Sequence, residues 1–225
     1  MTIREVISEI HRSYREAGAE VIITNTFSAN TPALERSGQA DKLAEYIAAA
    51  CRLARRAVGA EGWVAGNIGP TGEFLEPVGS WTDEAMRKVF EEAALHLKEG
   101  GVDLFIIETM SDVREAALAV EGCRNVVRGI PVIASMSFDS VKSGFRTNMG
   151  VSPGRAAQAL DEAGADAIGA NCGSVSPEQM AEIVRQYKAS SDKPVLVEAN
   201  AGLPVLRDGR TLYVLDPKAF AEGML

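Results

Sequence analysis

Apolar residues recur at two different spacings along the chain, and the alternation between these spacings predicts helices and strands in turn. Apolar residues three or four positions apart indicate amphipathic helices, and short aliphatic runs between them indicate buried strands. The predicted helices span residues 1–17, 41–58, 82–98, 113–127, 152–162 and 177–188, and the predicted strands span 21–24, 63–65, 102–107, 131–136, 165–170 and 194–197. Residues 203–225 are expected to form a loop and the start of a helix.

The strand–helix alternation, repeated six times, predicts an α/β fold with parallel strands and right-handed crossovers. Two architectures have this pattern, a doubly wound sheet and a (β/α)8 TIM-type barrel. No Gly-x-Gly-x-x-Gly sequence follows the first strand, which disfavours a dinucleotide-binding sheet. Polar residues stand at the end of every predicted strand, and a barrel builds its site from many loops at once. We therefore expect an incomplete barrel with about six βα units.

Composition narrows the class of protein. With 225 residues, 46% of them hydrophobic and 24% charged, the chain is expected to form one domain over residues 1–225. The formal charge of −8 argues against partners such as nucleic acids or a membrane surface. No apolar stretch approaches a membrane span in length, and none of the three cysteines forms a Cys-x-x-Cys pair, so a cytoplasmic location is expected.

Eight residues that follow the predicted strands are expected to meet at one edge of the sheet: Asn25, Asn67, Glu108, Ser137, Asn171, Cys172, Glu198 and Asn200. A single amide or hydroxyl among them is explained equally well as a cap or a turn residue. Glu108 and Glu198 directly follow aliphatic runs, where a carboxylate is costly unless it meets a cation, a donor or a ligand. Glu108 is a candidate to hold an ammonium group or to act as a base, whereas Glu198 equally suits the anchoring of a loop.

The cysteines and histidines separate one candidate reactive residue from several packing residues. Cys172 stands at a strand end, where a thiol serves as a nucleophile or a soft metal ligand, although packing is the commoner role of cysteine. Cys51 and Cys123 lie in predicted helices and are expected to pack in the core. His11 and His96 also lie in helices and are expected to be structural or solvated.

Six short motifs, taken in order, resemble the homocysteine S-methyltransferase family. The resemblance covers essentially the whole chain and is closer to the homocysteine-binding module of cobalamin-dependent methionine synthase than to the betaine-dependent enzyme. The motifs are Ala17-Gly18-Ala19, Thr24-Asn25-Thr26-Phe27-Ser28-Ala29, Gly69-Pro70-Thr71-Gly72, Glu108-Thr109-Met110-Ser111-Asp112, Gly169-Ala170-Asn171-Cys172-Gly173 and Val197-Glu198-Ala199-Asn200-Ala201-Gly202-Leu203-Pro204.

This resemblance implies a barrel that holds zinc through three cysteines, one of them Cys172, with Glu108 helping to hold the amino group of homocysteine. Zinc would turn the homocysteine thiol, mostly protonated at neutral pH, into a thiolate that attacks an activated methyl group to give methionine. Glu108 and Cys172 are thus the expected catalytic residues. The expected substrate-binding residues are Asn25, Thr26, Phe27, Glu108, Ser137, Asn171, Glu198 and Asn200.

The sequence departs from the family pattern at both ends. The other two zinc ligands of the family, adjacent cysteines in a Gly-Gly-Cys-Cys-Gly motif on the last strand, are missing, and so is the first strand with its Asp-Gly-x-x-Gly-Thr loop. Because the first and last strands of a closed barrel are neighbours, we expect one gap, with the strands at 21–24 and 194–197 as its edges. A fragment of a longer gene product is expected; a complementing partner chain and a degenerate, non-catalytic member are the alternatives.

The methyl donor and the overall activity stay open at this point. Methylcobalamin, betaine and S-methylmethionine would each suit a thiol-activating site, and cobalamin- or folate-binding domains would lie elsewhere. A binding module or assembly subunit would keep the barrel face without the chemistry. A different barrel enzyme would use Glu108 as a base, although the absence of a lysine or histidine at a strand end disfavours it.

Overall fold

The computed structural model describes residues 2–224, which form ten strands and eight α-helices. The strands are β1 (Val21–Ile23), β2 (Trp63–Ile68), β3 (Leu104–Met110), β4 (Val132–Met136), β5 (Asp139–Val141), β6 (Gly144–Arg146), β7 (Ala167–Asn171), β8 (Val195–Glu198), β9 (Pro204–Arg207) and β10 (Arg210–Tyr213). The helices are α1 (Ile3–Glu16), α2 (Thr31–Glu35), α3 (Leu43–Val58), α4 (Asp83–Glu99), α5 (Val113–Val126), α6 (Pro153–Glu162), α7 (Pro177–Lys188) and α8 (Pro217–Met224), with a 3-10 turn at Ala40–Lys42.

Six strands form one parallel sheet in the order β1-β2-β3-β4-β7-β8. Helices lie between successive strands of this sheet along the chain, so every crossover is a βα unit. The prediction of six sequential βα units is confirmed. The fold is an incomplete TIM-type barrel, in which eight such strands would close on themselves.

Within residues 2–224, the two outer strands of this sheet have no neighbour on one side. All four residues of β8 are only half-buried, whereas Ile106 and Ile168 in the middle strands are almost completely buried. Beside β1, helix α1 exposes apolar side chains, and Tyr14 is 64% exposed. The predicted edges at β1 and β8 are therefore the edges of the sheet within residues 2–224.

The core lies between the middle strands and the helices that cover them. Helix α4 packs against α5, where the missing side chain of Gly122 lets the helix approach Phe90. Cys51 and Cys123 are buried in this core, which confirms their predicted packing role. Burial raises the pKa of the Cys51 thiol to about 11 and that of the Cys123 thiol to about 12, so both are poor nucleophiles.

The structure differs from the predicted elements at the strand ends and in the loops. Strands β2 and β3 run three residues beyond the predicted ends at 65 and 107, because backbone pairing with their neighbours continues past the aliphatic runs. Two hairpins, β5–β6 and β9–β10, replace predicted loops. Asp208 and Gly209 both have positive φ between β9 and β10, the conformation that a tight hairpin turn requires.

Within residues 2–224, none of the helices combines the length and the apolar character needed to cross a membrane.

Candidate functional site

The candidate site lies where the strands of the parallel sheet end. Asn67 and Glu108 lie near the ends of β2 and β3, and Asn171 and Glu198 are the last residues of β7 and β8. Asn171 and Glu198 are paired in the sheet register. The carboxyl ends of parallel strands are where α/β barrels bind their ligands, so the predicted gathering of strand-end residues has the geometry of a site.

The side-chain amide of Asn171 is the centre of a hydrogen-bond network across three strands. Its Oδ1 accepts from Thr109 N at 2.9 Å and from Ser135 Oγ at 2.7 Å. Its Nδ2 faces Glu108 Oε2 at 2.9 Å, Thr109 Oγ1 at 2.7 Å and Cys172 Sγ at 3.3 Å. Asn171 is only 2% exposed, so its side-chain amide is shielded from water.

Two residues of this network have a left-handed backbone. Thr109 has a φ of 60° and Cys172 a φ of 54°, a region that costs a non-glycine residue about 1–3 kcal/mol. The register of β3 against β4 shifts between Ile107 and Met110, which marks a bulge that contains Glu108 and Thr109. Bulges re-aim side chains next to functional sites. The backbone thus stores strain at the two motifs that the sequence singled out.

Glu108 is half-buried within the bulge of β3. None of the ion pairs formed within residues 2–224 involves it. Burial raises the pKa of the Glu108 carboxyl above its usual range, and hydrogen bonds from Asn67 and Thr109 oppose that rise. A half-buried carboxylate that is solvated by amides but not neutralised is suited to receive a cation.

Glu198 lies on the open side of the same site. Burial, and the negative charge of Glu108, raise the pKa of the Glu198 carboxyl. The residue lines a cavity of about 510 Å³ together with residues of α1 and β1, among them His11 and Ile22. Its backbone oxygen accepts from Cys172 N at 3.3 Å, so the main chain of Glu198 supports the strained cysteine.

Asn25, Thr26 and Phe27 form the loop after β1. The Thr26 hydroxyl is buried and donates to Asn67 O at 2.7 Å, while Thr24 Oγ1 accepts from Asn67 N at 2.9 Å. Asn25 is exposed and lines two cavities, the one beside Glu198 and a second of about 480 Å³ that Phe27 also lines. Thr26 therefore fastens the loop, and Asn25 and Phe27 face open space.

The remaining predicted residues lie at the rim. Ser137 is half-buried, and its backbone N donates to Met110 O at 2.8 Å. Asn200 Nδ2 donates to Gly173 O at 2.8 Å, which ties the loop after β8 to the loop after β7. Ser135 was not predicted as a site residue. Its hydroxyl lies inside the aliphatic run 131–136, and a buried hydroxyl needs a hydrogen-bond partner, so this was the available signal.

Metal-binding residues are sparse in this arrangement. Residues 2–224 contain no group of three or more histidine, cysteine, aspartate or glutamate side chains placed to hold a metal ion. Cys172 is the one cysteine of the three that is not buried. Because a zinc site requires at least three protein ligands, these residues do not by themselves fit a complete zinc site.

Comparison with known proteins gives the family. The sequence model described as Homocysteine S-methyltransferase matches residues 1–225. Methionine synthase of Mycobacterium tuberculosis (strain ATCC 25618 / H37Rv) is 34% identical over 98% of this chain and 19% of its own length. Betaine–homocysteine S-methyltransferase 1 of Sus scrofa is 34% identical over 75% of this chain and 59% of its own length. The chain thus spans about a fifth of the methionine synthases and over half of the betaine enzyme.

Among solved structures, the metallated form of the homocysteine methyltransferase MmuM from Escherichia coli aligns with a TM-score of 0.74 at 22% identity. The alignment covers 90% of this chain and 74% of that one. At this identity the likeness supports the fold, an incomplete TIM-type barrel. Together with the sequence matches over its full length, it leads to one assignment: the chain belongs to the homocysteine S-methyltransferase family.

Proposed function

We propose that residues 1–225 form the homocysteine-binding part of a thiol methyltransferase that produces methionine. In this proposal Glu108 accepts the α-ammonium group of homocysteine, and Cys172 lies at the sulfur end of the substrate. The observation that carries the proposal is the Asn171 side chain, whose one nitrogen lies within hydrogen-bond distance of both the Glu108 carboxylate and the Cys172 sulfur. The two functional groups are therefore neighbours, as the two ends of a small amino-thiol require.

The electrostatics of Glu108 suit a protonated amine. Burial has already removed part of the water from this carboxylate, and no side chain within residues 2–224 pairs with it as a cation. An ammonium group would supply the missing positive charge and make hydrogen bonds stronger than those of a neutral donor. Asn25, Phe27, Ser137, Glu198 and Asn200 then line the space around the bound amino acid.

Zinc enters this proposal only through ligands that residues 2–224 do not supply. Cys172 would contribute one thiolate, and the bound metal would supply the acidity that converts the substrate thiol into a nucleophile. We infer that the other ligands come from polypeptide that pairs with the free edges of β1 and β8. Since the chain matches 19% of the length of the methionine synthases, a domain that holds methylcobalamin would lie outside these residues.

The test is homocysteine binding by a form of the protein in which the barrel is complete and zinc-loaded. Glu108→Gln should weaken homocysteine binding by about 1.5–3 kcal/mol, the value of a hydrogen bond to a charged group, and leave zinc affinity nearly unchanged. Calorimetric titration measures both constants. Glu121→Gln, at an exposed position on α5, is the matched control. Equal homocysteine affinity in wild type and Glu108→Gln would give Glu108 a structural role instead.

A second candidate function is a binding module that does not catalyse methyl transfer. The absence of a metal-binding group within residues 2–224 favours it. Zinc content discriminates the two candidates, because a module without chemistry would bind homocysteine without zinc even when the barrel is complete.

A further inference from the structure

Asn171 lies between the two groups that the proposed function places at opposite ends of the substrate. Its Nδ2 is 2.9 Å from Glu108 Oε2 and 3.3 Å from Cys172 Sγ. The carboxylate oxygen and the sulfur are therefore no farther apart than the sum of these two distances. That separation matches a compound in which a short carbon chain joins an ammonium group to the atom that meets the Cys172 sulfur.

The Asn171 side chain has no capacity left for a ligand of its own. Its oxygen has two lone pairs, and these accept from Thr109 N and Ser135 Oγ. Its nitrogen has two hydrogens and faces three acceptors, on Glu108, Thr109 and Cys172. Since the residue is also 2% exposed, its amide acts on the site through its protein neighbours and not by touching the substrate.

The brace behind this amide is rigid. Ser135 is 1% exposed in the middle of β4, so the donor to Asn171 Oδ1 is fixed by the sheet. Thr109 is bonded to Asn171 through both its backbone N and its hydroxyl, and that hydroxyl lies 3.5 Å from Cys172 Sγ. Movement of the Asn171 amide would have to break its hydrogen bonds to both β3 and β4.

We propose that Asn171 is a positioning residue that holds the Glu108 carboxylate and the Cys172 sulfur at a fixed separation, so that the pair selects a short primary ammonium compound by its length. The inference rests on the proposed function, since it takes Glu108 as the ammonium acceptor and Cys172 as the sulfur end. In this proposal Asn171 positions Glu108 and Cys172, whereas from the sequence it was expected to bind the substrate directly.

Alkylation of Cys172 in the 225-residue chain tests this separation without metal. In 2-bromoethylamine the ammonium end can bind the Glu108 carboxylate while the Cys172 thiolate attacks the carbon that bears bromine. A C–S bond forms, the C–Br bond breaks, bromide leaves, and the thiol proton goes to solvent. Iodoacetamide, which is neutral and reacts with the same thiolate, measures intrinsic reactivity. The ratio of the two rate constants, divided by the same ratio for N-acetylcysteine at the same pH, isolates the contribution of charge and position.

For the wild type we expect this normalised ratio to be about fivefold or more, because the cation is held beside the sulfur. Glu108→Gln should bring it close to one. Asn171→Ala should reduce the logarithm of the normalised ratio to half of the wild-type value or less. Asn171→Ser, which retains one hydrogen-bonding group to support folding, should reduce it to the same extent. Peptide mass mapping identifies the labelled cysteine. The label is expected on Cys172, because Cys51 and Cys123 are buried.

The matched control is Tyr187→Phe, which removes a different buried hydrogen bond to β7, the 2.9 Å bond to Gly169 O. If Asn171 had only a structural role, its substitution would change the rates of both reagents by the same factor. The normalised ratio of the Asn171 variants would then equal that of Tyr187→Phe. A wild-type ratio of one, or Asn171 variants that keep the wild-type ratio, would overturn the proposal.

Reagent length gives a test that needs no variant. With a fixed separation, one member of the series 2-bromoethylamine, 3-bromopropylamine and 4-bromobutylamine should react fastest relative to its uncharged bromoalkane counterpart. Equal preference at all lengths would overturn the inference even if charge selectivity is found. Failure of the completed protein to bind homocysteine, with the length optimum intact, would instead refute only the proposed function.

Discussion

At the scale of single residues, Gly173 is the position where the site depends most directly on the absence of a side chain. It follows the strained Cys172 with a φ of 70°, and a Cβ there would lie 1.9 Å from Phe138 O. Gly173→Ala should therefore lower the free energy of unfolding by ~3 kcal/mol or more, as measured by urea denaturation. Gly38→Ala, at a φ of 66° with open space around it, should cost only ~1 kcal/mol. Equal costs would show that backbone conformation and not the contact sets the effect.

The position of candidate residues near strand ends could be predicted from the sequence, but the way they are connected could not. Glu108, Asn171 and Glu198 became candidates because each directly follows an aliphatic run. Asn171 and Glu198 are the last residues of their strands, whereas β3 continues to Met110. The bonds from Asn171 to Ser135 and Thr109 could not be predicted, because they depend on the stagger between β3, β4 and β7 and on a bulge that no local pattern encodes.

At the scale of elements, α1 packs against α3 and carries a buried histidine, His11. Burial lowers the pKa of His11, and a hydrogen bond to the backbone of Leu53 opposes that shift. Because the unfolded chain binds a proton more readily than the folded one, the free energy of unfolding should fall as the pH drops below 6.5, the ordinary value.

His11→Gln should reduce this loss between about pH 7 and pH 5, as followed by denaturant midpoints at each pH. The cost of the substitution at alkaline pH, where His11 is neutral in both states, is subtracted first. An unchanged slope in His11→Gln would assign the acid sensitivity to other groups.

Elements with a clear apolar face were the ones that sequence reasoning placed well. Helix α7 begins at Pro177 and ends at Lys188 as predicted, since Ser176 caps it and its buried residues recur at helical spacing. The hairpin β9–β10 was missed because its strands are mostly exposed and show no burial pattern. The Asp208-Gly209 pair was its available signal.

At the scale of the whole molecule, the free edges of β1 and β8 bear on metal binding. The 225-residue chain should lose zinc during dialysis against a mild chelator, because a single thiolate does not hold the ion tightly. Extension by the missing strands, or addition of a chain that supplies them, should restore about one zinc per site, as measured by elemental analysis.

Cys123→Ser, at a buried position, should leave zinc binding by the completed protein unchanged, whereas Cys172→Ser should abolish it. Tight stoichiometric zinc in the 225-residue chain, lost in Cys172→Ser, would contradict this prediction and reveal ligands outside the recognised set.

The Asn171 network also fixes when the site can form during biosynthesis. Its bonds join residues 62 positions apart between Thr109 and Asn171, and 36 apart between Ser135 and Asn171. Contacts of such long range form late, after the chain between them has been closed into loops. A nascent chain that has left the ribosome only as far as β4 would hold a Glu108 carboxylate without the hydrogen bond from Asn171. Translation past residue 171 is thus the event that completes this corner of the protein.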